Sequence, residues 1–154
     1  MCADIIAVID FLRIDEFDLV GHSLGGHLAL CIAGCYPERV HRLVVEDPPP
    51  PPEDTIADVA LPSKPPQLLP FDWGVIALRQ AIRTPDPGWW TRLRSITCPT
   101  LIIAGGPTSH VDQVRLQEVS RSIGTCRFEE VNVGHSIHQA EPELFGDLVI
   151  GALA

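Results

Sequence analysis

The run Asp18-Leu19-Val20-Gly21-His22-Ser23-Leu24-Gly25-Gly26-His27 sets a serine between two glycines. Phe17 to Val20 is a short apolar-leaning stretch, and after Gly26 the residues Leu28, Ala29, Ile32 and Ala33 recur at helical spacing. A serine at the apex of such a strand–turn–helix is held in an unfavourable backbone conformation. Gly21 and Gly25 are expected to flank it because a Cβ at either place would clash. The turn lifts Ser23 Oγ clear of the sheet and sets the N-terminus of the following helix behind it. There the Leu24 N–H and the helix dipole can meet a developing oxyanion. A hydroxyl is a poor nucleophile at neutral pH, so this chemistry requires a histidine base whose other nitrogen is held by a carboxylate. A glycine-rich turn can also cradle phosphate. However, no Gly-x-Gly-x-x-Gly spacing and no lysine accompany these glycines, so neither dinucleotide nor P-loop chemistry is specified.

The elements that must position these groups alternate. Ile5, Val8, Ile9 and Leu12 predict an opening helix with Asp4 near its start, and Arg13 to Asp15 turns into the serine strand. The helix after Ser23 runs to Tyr36, where Pro37 stops it. Val40 to Val45 reads as a buried strand that must end at Glu46-Asp47, because five prolines follow and proline cannot join a ladder. Leu101 to Ala104 is an unbroken apolar strand, and Gly105 to His110 its exit loop. A helix follows over about Asp112 to Ile123, with Leu116, Val119 and Ile123 inward, and Arg127 to Val133 is a further strand. Pro142 opens the last helix, which carries Leu144, Phe145, Leu148, Val149 and Ala152. Strands alternating with helices imply an α/β architecture with about four parallel strands. Residues 53–92 differ in kind. Prolines stiffen the first half, Phe71 to Arg83 predicts a short helix, and Pro85 to Gly88 turns the chain into Trp89-Trp90.

Val20-Gly-His-Ser-Leu-Gly-Gly26 resembles the nucleophile elbow of the α/β-hydrolase family, in its serine-hydrolase form. The resemblance covers only the C-terminal half to two-thirds of that family's domain, with residues 1–52 and 93–154 as core and 53–92 as the lid insertion. It implies a small-molecule acyl substrate (an ester, a lactone or a related compound) cleaved through an acyl-enzyme, with no cofactor. It also implies the order serine, acid, histidine along the chain. His135 after Gly134 then matches the catalytic base, with His138 one helical turn later as the fallback. Most of the family carries its acid in the loop after the strand that is Leu101 to Ala104 here, and that loop offers Thr108 and Ser109 with no carboxylate before Asp112. A minority carries it at the end of the preceding strand, where this chain has Glu46-Asp47. Asp47 is therefore the expected acid, with Asp112 and Glu46 as alternatives. The lid position implies that Trp73, Trp89 and Trp90 line an acyl pocket or else pack the lid onto the body. His110 is a candidate for the pocket wall, and His22, inside the elbow, for packing beside it. Nothing matches the family's earlier strands or the loop that supplies its second oxyanion donor. The alternatives are a catalytically weak fragment or a lyase or acyltransferase on the same fold. The serine strand would lie at a sheet edge, which predicts self-association.

Composition narrows the partners. A formal charge of −9 argues against nucleic acid and anionic membranes, and no apolar run approaches the 18 or so residues a membrane span requires. The 5 cysteines form no disulfide framework, which suggests reduced thiols in the cytoplasm. His27, Cys31 and Cys35 share one helix face at i, i+4, i+8. They are expected to be buried core rather than metal ligands, because free cysteine packs as a small hydrophobe, and no metal site is expected.

Overall fold

The computed structural model describes residues 1–54 and 84–154. The chain divides into two compact units, Met1–Pro50 with Gly88–Ala154, and Pro51–Pro87. The first unit carries four strands and six α-helices in the order α1 (Cys2–Phe11), β1 (Phe17–His22), α2 (Leu24–Cys35), β2 (Val40–Glu46), α3 (Trp89–Arg94), β3 (Thr100–Ala104), α4 (Gln113–Ser122), β4 (Cys126–Glu130), α5 (Ile137–Ala140) and α6 (Pro142–Leu153), with a 3-10 turn at Gly106–Thr108 after β3. The strands form one sheet in the order β1-β2-β3-β4, every pair parallel. Three successive right-sized crossovers through helices are what parallel pairing demands.

Strand alternation divides the core into two layers. Leu43 and Val45 of β2 and Ile102 and Ala104 of β3 face one way, into a cluster with Ile6, Leu30, Ile32, Ala33, Leu93, Leu116 and Val119 from α1, α2, α3 and α4. Val44, Leu101 and Ile103 face the other way, against Ile137 and the half-buried Phe145, Leu148 and Val149 of α6. All five residues of β3 are buried, as an unbroken apolar strand predicts. Each such aliphatic contributes about 1.5–3 kcal/mol on burial.

Several local expectations are corrected. In α1 it is Ile6 that is buried, while Val8 and Leu12 stay 59% and 57% exposed. The helix rests on α2 through Cys2, Ile5, Ile6 and Ile9. Strand β4 stops at Glu130 rather than Val133, because the N–H of Val133 turns back to the Val131 carbonyl at 2.8 Å and bends the chain toward Gly134. Cys35 is exposed at the end of α2, whereas Cys31 packs against the core. The boundary of the first unit falls before Gly88, not after residue 92. Trp89 and Leu93 are buried in its core, and Trp90 packs at the margin. Trp89 stacks on His27 with ring centroids 4.6 Å apart and packs in the core. Trp73 and the helix expected over Phe71 to Arg83 lie outside the described residues.

Candidate active site

Ser23 lies between the last residue of β1 and the first of α2 with φ 55° and ψ −121°, a conformation that L-residues rarely adopt. Close approach of strand and helix enforces it, and the glycines responsible are Gly21 and Gly26. A Cβ at Gly21 would lie 2.6 Å from the Gly25 carbonyl oxygen, and one at Gly26 would lie 2.9 Å from that of Gly21. The expected clash at Gly25 is absent, since a Cβ there would meet nothing within 4 Å. The Ser23 N–H is anchored to the Glu46 carbonyl at 2.9 Å, which ties the apex to the end of β2. Leu24 opens α2, so its N–H has no carbonyl one turn back in the helix and faces outward at the positive end of the dipole.

His135 and Asp47 complete a chain of hydrogen bonds from Ser23. Asp47 Oδ2 is 2.7 Å from His135 Nδ1, and His135 Nε2 is 2.8 Å from Ser23 Oγ. A carboxylate only accepts, so the imidazole proton lies on Nδ1 and the Nε2 lone pair faces the serine O–H. Asp47 is wholly buried, with φ 43° at the turn into the prolines. Burial alone would raise its pKa. Hydrogen bonds from Ser109 Oγ (2.5 Å), Gln113 Nε2 (3.0 Å), the Gly105 N–H (3.0 Å) and His135 outweigh burial and hold the carboxyl below its usual value. The loop after β3 thus supplies donors to an acid carried just past the end of β2.

The two alternative acids have other occupations. Asp112 caps α4, its Oδ1 accepting from the N–H groups of Val114 and Arg115 at 3.0 and 3.1 Å. Glu46 is buried and holds His138, whose Nδ1 is 2.8 Å from Oε2 and whose backbone N–H is 3.0 Å from Oε1. His138 therefore belongs to a second carboxylate–imidazole pair beside the first. His22 Nε2 donates to the His135 carbonyl at 2.9 Å, and its ring lies against both His135 and His138. His110 is exposed, with its ring centroid 4.1 Å from that of His135 and the two planes tilted by 56°. Sequence reasoning missed Gly105, Ser109 and Gln113 as holders of the acid. The absence of a carboxylate from the loop after β3 was the signal that this loop plays a different part.

A half-buried serine at the apex of a strand–helix turn, an imidazole and a buried carboxylate on the carboxyl edge of a parallel sheet define a nucleophile-elbow protein. The chain belongs to the alpha/beta hydrolase family, whose family model matches residues 2–148. It is 27% identical to the putative 2-succinyl-6-hydroxy-2,4-cyclohexadiene-1-carboxylate synthase of Bacillus subtilis, over an alignment covering 96% of this chain and 69% of that protein. A shorter match, 52% identical over 40 residues, covers 26% of the chain and 14% of the 2-hydroxymuconate semialdehyde hydrolase of a Pseudomonas species. Among solved structures, a carboxylesterase from Nitrososphaera gargenis superposes with a TM-score of 0.77 at 16% identity, over 99% of this chain and 70% of that one, which shows the shared fold. The chain spans only part of the length of each of these three proteins.

Proposed function

We propose that the protein is a serine hydrolase that cleaves a small ester, lactone or related acyl compound through an acyl-enzyme. The observation that carries this reading is the unbroken Asp47–His135–Ser23 chain, with contacts of 2.7 and 2.8 Å. His135 Nε2 takes the Ser23 proton as Oγ attacks the acyl carbon, and Asp47 holds the imidazolium that forms. The carbonyl oxygen becomes an oxyanion met by the Leu24 N–H at the start of α2. His135 then returns the proton to the leaving group, and water repeats the sequence on the acyl-enzyme. Serine at the apex argues against the carboxylate-nucleophile chemistries of the fold. A second oxyanion donor is worth about 2.7–4 kcal/mol in such sites, so the rate this chain reaches depends on what supplies one.

Partners follow the same reading: a neutral small molecule, with neither nucleic acid nor an anionic membrane surface, given the charge of −9. Among the described residues no helix is long and apolar enough to cross a membrane. None of the five cysteines is in a disulfide, which favours a reducing, cytoplasmic setting. A second reading, a lyase on the same triad, is favoured by the synthase name of the relative that aligns with 96% of the chain. A fluorophosphonate probe with an ester and lactone panel separates the possibilities. Labelling lost in Ser23→Ala together with turnover supports the hydrolase. Labelling without turnover of any acyl substrate moves the reading to the lyase, and a folded sample that does not label overturns both.

A further inference from the structure

His22, Glu46 and His138 repeat the catalytic set one step away. His22 precedes Ser23, Glu46 precedes Asp47, and His138 follows His135 by three residues in the same turn. Parallel register places His22 directly beside Glu46 on the neighbouring strand. The second set lies against the first, the His22 ring touching those of both His135 and His138. One ligating atom from each of the three lies within 4.8 Å of the other two.

We propose that these three residues form a binding site for a divalent transition-metal ion of the Zn2+ or Co2+ kind. Two imidazoles and one carboxylate are a borderline donor set that suits such ions and not Mg2+ or Ca2+, which take oxygen. Glu46 is only 2% exposed and reaches the ring nitrogen of His138 at 2.8 Å, the distance of a hydrogen bond whose proton a cation would replace, that proton passing to solvent. His22 donates its Nε2–H to the His135 carbonyl, so the neutral ring keeps Nδ1 as its lone-pair nitrogen. A backbone carbonyl on the far nitrogen is also how ligating histidines are commonly oriented. Donors on one tetrahedral ion lie about 3.3 Å apart at metal bonds of about 2.0–2.2 Å, so His138 must draw back slightly from Glu46 and His22 must close in, movements that rotation of these two partly exposed rings supplies. The occupied site would link the ends of β1 and β2 to the turn that carries His135.

The test is addition of Co2+ and Zn2+ to the tag-free chain. Expected is one equivalent of Co2+ with a ligand-field spectrum of nitrogen and oxygen donors. The thermal midpoint should also rise by roughly 5–10 °C at a hundredfold excess over Kd, reversed by chelator and not produced by Mg2+. His138→Gln, which keeps the backbone bond to Glu46, should weaken binding at least tenfold, and His22→Gln should do the same. No stoichiometric binding at millimolar metal would overturn the proposal. So would affinity unchanged in both variants, or a sulfur charge-transfer band showing that cysteine thiolates take the ion. Neither readout uses turnover, so the outcome is independent of the hydrolase reading.

Discussion

Gly105 and Gly134 meet backbone to backbone. The N–H of Gly134 donates to the Gly105 carbonyl at 2.9 Å, while the N–H of Gly105 donates to Asp47 Oδ1 at 3.0 Å. One residue thus ties the loop that carries the base to the acid that orients it. A Cβ at Gly105 would collide with the Gly134 carbonyl, which no side-chain rotation relieves. Gly105→Ala should therefore displace the His135 loop. A misplacement of about 1 Å costs on the order of 100-fold in turnover, measurable as kcat on the best ester of the panel and as slowed fluorophosphonate labelling.

Asp47 and Asp112 should separate cleanly. Asp47→Asn leaves His135 without its orienting carboxylate and should lower kcat by about 10⁴-fold. Asp112→Ala removes only the cap of α4, costing about 1 kcal/mol in urea denaturation with kcat unchanged. The reverse pattern would move the acid to Asp112.

Strain at Ser23 predicts a gain on its removal. With φ at 55°, glycine is the residue best suited to the apex. Ser23→Gly should be more stable than Ser23→Ala by about 1 kcal/mol in chemical denaturation, with both variants refusing the probe. Equal stabilities would mean that the turn is not strained.

The depressed pKa of Asp47 links stability to pH. A carboxyl that ionises more readily folded than unfolded stabilises the native state fully above its unfolded value of about 3.9. That contribution is lost as pH falls through the lower folded value. Between pH 6 and 3 the denaturation midpoint of the native protein should fall more steeply than that of Asp47→Asn, whose amide does not titrate. Parallel curves would remove Asp47 from the acid limb.

Self-association is expected along the first strand. Among the described residues β1 pairs with β2 alone, and Phe11, Leu12 and Val20 on α1, the turn and β1 are 83%, 57% and 51% exposed. Apolar side chains beside an unpaired edge favour contact with a second copy. Sedimentation equilibrium should show oligomers that Phe11→Glu with Val20→Lys disperses. A monomeric native protein at the same concentration would defeat the expectation.

Patterns confined to neighbouring residues were legible in the sequence. Gly-x-Ser-x-Gly between an apolar strand and a helical repeat specified the elbow, Pro37 the end of α2, and the proline run the end of β2 at Glu46, just before Asp47, because each acts through its own backbone. What lies between distant segments was decided only by tertiary structure. Gly26 rather than Gly25 faces the strand because the helix phase, and not the motif, sets which hydrogen must be bare. Asp112 and Asp47 are both carboxylates beside a turn, and only packing set one on a helix N-terminus and buried the other under four donors. Trp89 became a core residue when α3 closed on His27. The pairing of Glu46 with His138, 92 residues apart, arises from the packing of α5 beside the end of β2 and has no local trace.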